Sequence, residues 1–267
     1  MDDDTPTPAN PPLPDPLAAF RLDGRCALVT GASSGLGVRF AEVLAAAGAS
    51  LVLAARRAER LEALAARLPD ALAVPCDLSR PGAPEALVDA AEERYGAVDV
   101  LVNNAGISNP VAALDYPPEE FRREVEIDLV APYTLAREVA RRAVAAGRTA
   151  SIVNLGSVLG TVGGGRLRVP GYAAAKGGLH NLTRELASEW ARKGVRVNVL
   201  APGWFESEMS ADMFTDERAL AYITDNAPMG RPGRPGELDG ALLFLASDAS
   251  SFVTGQILHV DGGWTAI

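Results

Sequence analysis

Tyr172 and Lys176 stand four positions apart in Tyr172-Ala-Ala-Ala-Lys176, so a helix brings both side chains to one face. A lysine cation ~5 Å from a phenol, at an effective dielectric of ~20, contributes roughly 3 kcal/mol, or about two pKa units. That pulls a tyrosine down from ~10 towards neutrality. Such a group supplies what a carbonyl/alcohol pair needs: an acid for a developing alkoxide, or a base for a hydroxyl proton. A Tyr-x-x-x-Lys pair is also common on exposed helices, so the spacing alone decides nothing. Composition adds a little, because the chain has two lysines, Lys176 and Lys193, against 23 arginines. Arginine does not readily share a proton.

A second candidate is the run Thr30-Gly31-Ala32-Ser33-Ser34-Gly35-Leu36-Gly37. It follows an apolar β-rich run and leads into a helical pattern. Glycines there permit a tight turn and let a pyrophosphate approach backbone N–H groups at the positive end of the helix. A dinucleotide site is the better reading; a tight turn that binds nothing is the plainer one. Gly31-Ala32-Ser33-Ser34-Gly35 also spells the G-x-S-x-G nucleophile elbow of α/β-hydrolases, with Asp239 and His259 in the right chain order to complete a triad. Against that, no earlier strand is present to supply an oxyanion loop, and the hydrolase leaves the wider glycine spacing unexplained.

Cofactor choice is legible at the end of the next strand. A site for NAD usually places an acid there to hold the ribose 2′-hydroxyl. That position holds Ala55, with Arg56 and Arg57 next. A guanidinium, with Arg56 as the expected main contact, can take a 2′-phosphate in paired, charge-assisted hydrogen bonds, so NADP(H) is expected to be preferred and NAD(H) remains possible. Alternatively, both arginines simply begin an exposed helix.

These residues need a frame. Short apolar runs alternate with amphipathic stretches: 26–30, 50–55, 71–75, 98–105, 150–157, 195–202 and 257–262. Each is apolar almost throughout, as suits strands covered on both faces. Phe40, Val43, Leu44 and Ala47 mark one intervening helix, Leu61, Leu64, Ala65 and Leu68 another, and Leu179, Leu182, Leu186 and Trp190 a later one. The alternation implies parallel β/α units with right-handed crossovers. The expected fold is α/β, a single Rossmann-type doubly wound domain over 21–267, with a seven-stranded parallel sheet and helices on both faces. Residues 1–20 hold six prolines and four aspartates and are expected to be a disordered tail.

The chain has 267 residues, a formal charge of −9 and 48% apolar residues, enough to build a core without metal or disulfide staples. An acidic balance argues against a general nucleic-acid binder. Two cysteines, Cys26 and Cys76, read as thiols in a reducing compartment. No apolar run reaches the ~18 residues of a membrane span. Acid stands at the start where a signal peptide needs basic residues, so a cytoplasmic location is expected. His180 and His259 lack ligand-spaced partners, and no metal site is expected.

The glycine spacing, together with Asn103-Asn104-Ala105-Gly106, Ser157, Tyr172-Ala-Ala-Ala-Lys176 and Pro202-Gly203, resembles the short-chain dehydrogenase/reductase family, in order and spacing, over about 21–267. The resemblance implies hydride transfer between a nicotinamide cofactor and a ketone or secondary alcohol. It implies that Ser157 hydrogen-bonds the substrate oxygen and that Lys176 also holds the nicotinamide ribose. By position, Gly31, Ser33, Ser34, Gly35, Leu36 and Gly37 would line the cofactor loop, and Asp77 and Leu78 would flank the adenine. Asn104, Ala105 and Gly106 would support the middle of the cofactor. Pro202, Gly203, Phe205 and Ser207 would frame the carboxamide. The family's fourth catalytic residue, an asparagine, aligns with Asp128; in the family it acts mainly through its main-chain carbonyl, holding a water that leads to the lysine. The Ser157–Tyr172 spacing is longer than usual, and Gly163-Gly164-Gly165 is expected to take up the insertion.

By resemblance a homotetramer or dimer is expected, with contacts through the 119–146 and 172–192 helices. The flavour is that of 3-oxoacyl-carrier-protein reductases and of gluconate- or glucose-type sugar dehydrogenases. A small-molecule substrate would lie under a lid at 204–225, with Trp204, Phe205, Met209, Met213, Phe214 and Tyr222. The rival from another class is a dinucleotide-binding protein whose catalysis is vestigial, with Asp128 as the symptom.

Overall fold

The computed structural model describes residues 15–267. Seven parallel strands lie in the order β3-β2-β1-β4-β5-β6-β7: β1 Cys26–Thr30, β2 Ser50–Ala55, β3 Ala71–Pro75, β4 Val100–Asn103, β5 Ala150–Leu155, β6 Val195–Pro202 and β7 Ile257–Val260. The order reverses direction between β1 and β4, and such a switch point opens a crevice beyond the strand ends.

Four strands have the bounds read from sequence, while β4, β5 and β7 are shorter. The reason lies in where their backbone groups go. Asn104 N–H turns out of the ladder to the Thr30 hydroxyl at 3.0 Å. Ser157 Oγ accepts the Leu159 N–H at 3.1 Å and starts a 3-10 turn. Polar side chains at the ends of the apolar runs thus trade strand for site.

Helices α1 Gly35–Ala46, α2 Ala58–Ala65 and α9 Asp239–Ala246 pack one face, around Phe40, Leu44, Leu61 and Leu242. The other face carries α3 Ala83–Tyr95, α5 Ala131–Ala145 and α6 Pro170–Trp190, around Leu87, Val139, Leu186 and Trp190. Within β1, Ala27 and Val29 enter the first cluster and Cys26 and Leu28 the second. That alternation explains why the run is apolar throughout.

A buried polar chain binds the layers: Asn103 Nδ2 donates to Asn154 Oδ1 and Asn154 Nδ2 to Thr183 Oγ1, both at 2.9 Å, and Asn103 Nδ2 also reaches the Pro132 carbonyl at 3.2 Å. It fixes β4, β5, α5 and α6 in one register immediately below the crevice.

The helix expected over 119–146 is interrupted. It runs as α4 Pro118–Val125, a π turn Glu126–Val130, and then α5. Turns of this kind cluster at functional sites, and this one contains Asp128. Short helix α7 Ala211–Thr215 lies within the expected lid of 204–225, and α8 Glu217–Asn226 runs one residue beyond it. Of the expected tail, 1–14 lies outside the described residues, while Ala18–Phe20 makes a 3-10 turn. Cys26 and Cys76 are free thiols, and burial pushes Cys26 up to about 12.

Candidate active site

The crevice at the switch point is drawn tight by one threonine. Thr30 Oγ1 accepts the N–H groups of Asn104 and Ala105, each at 3.0 Å, and Asn104 Nδ2 donates to the Thr30 carbonyl at 2.8 Å. Gly31 (φ +67) cannot carry a side chain, because a Cβ there would meet Asn104 Nδ2 at 2.8 Å. Gly37 is closed off by the Gly31 carbonyl in the same way. The loop therefore presents bare backbone at the start of α1, a cradle for a dinucleotide pyrophosphate. Ser33, Ser34, Gly35 and Leu36 lie along it, with Gly35 at φ +54. Gly106 borders the far side, beside Asp128 and Lys176.

Of the two arginines after β2, Arg57 reaches the loop, donating Nε to Ser33 Oγ at 3.1 Å and Nη2 to Ser34 Oγ at 2.7 Å. Arg56 is exposed and acts on Asp77, helping to hold that carboxyl below its usual range after the bonds from Ser79 have done most of the work. Asp77 and Leu78 follow β3, so Arg56 and Asp77 together border the place expected for an adenine.

The hydrolase constellation does not assemble. Ser33 Oγ is taken by Arg57, Asp239 by Arg39 on α1 at 2.5 Å, and His259 Nε2 by Thr161 Oγ1 at 2.8 Å.

Ser157, Tyr172, Lys176 and Asp128 do come together. Ser157 follows β5, and Tyr172 and Lys176 occupy the first turns of α6, which Pro170 opens at a position where its missing N–H costs nothing. Ser157 lies beside the Tyr172 phenol and favours its ionised form. Lys176 Nζ lies 5.4 Å from the Tyr172 ring centre and donates to the Leu155 carbonyl at 2.9 Å. The Asp128 carboxylate faces the lysine: Oδ1 lies 3.1 Å from Nζ, and Oδ2 accepts the Ile107 N–H at 3.0 Å.

That pairing corrects the expected electrostatics. Burial holds the Tyr172 phenol above its ordinary value, and the Asp128 charge pushes the same way, against the pull of Lys176 and Ser157. Asp128 thus offsets part of the lysine's pull on the phenol. Burial works against the charge on Lys176, yet Asp128 and Tyr172 keep it above its usual value. Asp128 itself is pushed up by burial, against Lys176 and the Ile107 N–H.

Sequence reasoning missed Glu124. It is fully buried in α4, accepts the N–H of Asn109 at 2.5 Å and abuts Gly171 at the start of α6, with the Tyr116 hydroxyl beside it. It ties the loop after β4 to the start of α6. Its signal was present, because Glu124 and Asp128 are four apart on one helical run. Glu208 and Arg60, which pair at 2.6 Å beside Arg57, were also missed.

Pro202 ends β6. Gly203 abuts Asp261, whose Cα a Cβ would meet at 2.7 Å, and Phe205 bridges to Gly233. Ser207 Oγ lies 2.9 Å from Ser210 Oγ. Trp204 and Tyr222 both pack edge-on against Trp264, at 5.4 and 5.8 Å. Beside them Trp204, Phe205, Met229 and Val260 help to line a cavity of about 320 Å³. His180 is buried against Gly156 and Gly160, and its pKa is lowered to about 4 by burial. Among the described residues no group of three or more His, Cys, Asp or Glu could hold a metal, and no helix is long and apolar enough to cross a membrane.

A family model described as Enoyl-(Acyl carrier protein) reductase matches residues 31–265. A galactitol 2-dehydrogenase (L-tagatose-forming) of Cereibacter sphaeroides is 43% identical over 252 residues, 94% of this chain and 99% of the relative. The chain belongs to the short-chain dehydrogenase/reductase family. Among solved members, a short-chain type dehydrogenase/reductase from Mycobacterium marinum superposes with a TM-score of 0.90 at 35% identity, covering 95% of this chain and all (100%) of the other. A gluconate 5-dehydrogenase from Burkholderia cenocepacia J2315, in complex with NADP and tartrate, gives 0.88 at 38% identity, covering 94% and 99%. As a short-chain dehydrogenase/reductase, this protein is an oxidoreductase acting on CH–OH/C=O groups.

Proposed function

We propose that the chain is an NADP(H)-preferring carbonyl reductase or alcohol dehydrogenase of the sugar or 3-oxoacyl type, working through Ser157, Tyr172 and Lys176. The observation that carries this reading is Ser157 beside the Tyr172 phenol, with Lys176 Nζ 5.4 Å from its ring. Relatives named galactitol 2-dehydrogenase and gluconate 5-dehydrogenase favour a polyol or sugar acid over an acyl thioester. The NADP in the Burkholderia neighbour and the Arg57 contacts with Ser33 and Ser34 favour the phosphorylated cofactor.

The bound nicotinamide supplies or accepts a hydride. In reduction, Tyr172 Oη gives its proton to the substrate oxygen while Ser157 Oγ hydrogen-bonds that oxygen. Lys176 stabilises the phenolate left behind, and Asp128 holds the lysine in place with the Leu155 carbonyl. Oxidation reverses these steps. The exposed face of α4 and α5, with Phe121, Val130 and Tyr133, is the surface we assign to a homotetramer or dimer. A panel of polyols, sugar acids and 3-oxoacyl thioesters, followed by NADPH absorbance, tests the assignment. Turnover confined to polyols and sugar acids supports it. Preference for thioesters moves it to the acyl type, and no turnover with any substrate leaves the vestigial rival.

A further inference from the structure

Glu208 grips the guanidinium that Arg57 extends to the glycine loop. Its carboxylate accepts from Arg57 Nη1 and Nη2 at 3.0 and 2.8 Å and from Arg60 Nη1 at 2.6 Å. Arg57 donates at the same time to Ser33 and Ser34. One carboxylate and two hydroxyls therefore use the donors of a single arginine at the mouth of the loop. The backbone that presents Glu208 is braced. Ser210 Oγ accepts the Ser207 N–H at 3.0 Å and donates to the Phe205 carbonyl at 2.8 Å. This turn lies across the start of α1: a Cβ on Gly35 would meet Ser207 Cβ at 3.2 Å. It continues directly into α7 and α8.

We propose that Glu208 is an intramolecular counterpart of the adenosine 2′-phosphate, competing with it for Arg57, Arg60 and Ser34. A 2′-phosphorylated dinucleotide then enters by displacing the carboxylate and releasing the turn at 205–210. The proposal rests on the NADP(H) reading above and adds a residue that governs it. A carboxylate and a phosphate satisfy the same guanidinium fork in paired bonds. Two anions cannot share the same two N–H donors, so one must leave. A dinucleotide with a free 2′-hydroxyl brings no competing anion, and the Glu208 pair stays closed over it. Half the Glu208 side chain, 51%, faces solvent. Exposed pairs hold weakly, so the competition lowers phosphate affinity by a modest factor and does not abolish it.

The test uses 2′,5′-ADP and 5′-AMP as probes, titrated calorimetrically into the wild type, Glu208→Gln and Arg57→Ala. Glu208→Gln is expected to bind 2′,5′-ADP about five-fold more tightly, about 1 kcal/mol, with 5′-AMP unchanged within two-fold. Arg57→Ala is expected to lose at least ~10-fold in 2′,5′-ADP affinity. Amide hydrogen exchange over 205–210 is expected to quicken when 2′,5′-ADP is added to the wild type, and to be fast already in Glu208→Gln. If Arg57→Ala weakens the probe but Glu208→Gln leaves it equal or weaker, competition is overturned and the cofactor reading stands. If Arg57→Ala has no effect, both fall. Exchange that does not respond to the probe overturns the release of the turn.

Discussion

Lys176 Nζ lies 3.1 Å from Asp128 Oδ1, with 3% and 0% of the two side chains exposed. The pair is close enough for a strong Coulombic attraction but is poorly aligned as a hydrogen bond, since Oδ1 finds no well-directed donor. Removing one member of a buried pair strands the other's charge, so Asp128 fixes both the position and the effective charge of the lysine. At the position where the family resemblance implies an asparagine, this chain has placed a charge that opposes the ionisation of Tyr172.

Asp128→Asn follows from that geometry. The Asp128 charge raises the Tyr172 pKa, so removing it lowers that pKa and increases the phenolate fraction at neutral pH. Alcohol oxidation uses the phenolate as base. The acid limb of its kcat/KM profile is expected to move to lower pH. A pH profile of both directions checks this; a limb that stays in place shows that the aspartate is electrostatically silent.

Tyr172→Phe keeps the ring packing and removes the acid. Turnover is expected to fall at least ~100-fold, while NADPH binding followed by fluorescence persists. Activity within a few-fold of wild type would move the proton donor elsewhere.

Cofactor choice is expected to depend on Arg57 more than on Arg56, because of the two only Arg57 makes hydrogen bonds to Ser33 and Ser34. The wild type is expected to prefer NADPH over NADH at least ~10-fold in kcat/KM, about 1.4 kcal/mol or more. Arg57→Ala is expected to raise the NADPH KM and leave NADH kinetics nearly unchanged, with a smaller effect from Arg56→Ala. Equal use of both cofactors by the wild type would return the arginines to an ordinary surface role.

Arg168 is the only non-glycine residue with positive φ among those described, at +52. A side chain held there costs about 1–2 kcal/mol, and the residue lies just before Tyr172, exposed, as is Arg166. Replacing both with Ala is expected to raise the KM of carboxylate substrates at least five-fold, within the range of charge-assisted hydrogen bonds, and to spare neutral ketones. An equal rise for both classes removes the anion clamp.

Glu138 offers a stability test away from the chemistry. Its side chain is 5% exposed, and hydrogen bonds from Arg141 and then Arg142 hold its carboxyl down at about 2 despite burial. A depressed carboxylate stabilises the fold above its ordinary pKa, and the benefit is lost as pH falls from about 4.5 towards 2. Glu138→Gln is expected to lower Tm by about 3–5 °C at pH 7, with the gap to wild type shrinking below pH 4.5. A gap independent of pH would assign the loss to packing.

The amino-acid sequence by itself determined the sheet, because period-two burial on both faces leaves apolar runs that nothing else explains. Cys26–Thr30 and Val195–Pro202 were legible to the residue. It also determined the Tyr172–Lys176 pairing, since positions four apart on a helix must share a face. What only the tertiary structure decided is whatever depends on residues far apart in the chain. Asp128 reaches Lys176 from a π turn that no local pattern announces. Glu208 meets Arg57 across 151 positions, and Glu124 abuts Gly171, beside Tyr172, from another helix. The direction of the Tyr172 shift belongs here as well. A phenol and a lysine on one helix face suggest a lowered pKa, but burial and a third charge delivered by the fold reverse the sign. Local spacing fixes which groups can touch, whereas the charge they experience is set by everything the fold packs around them.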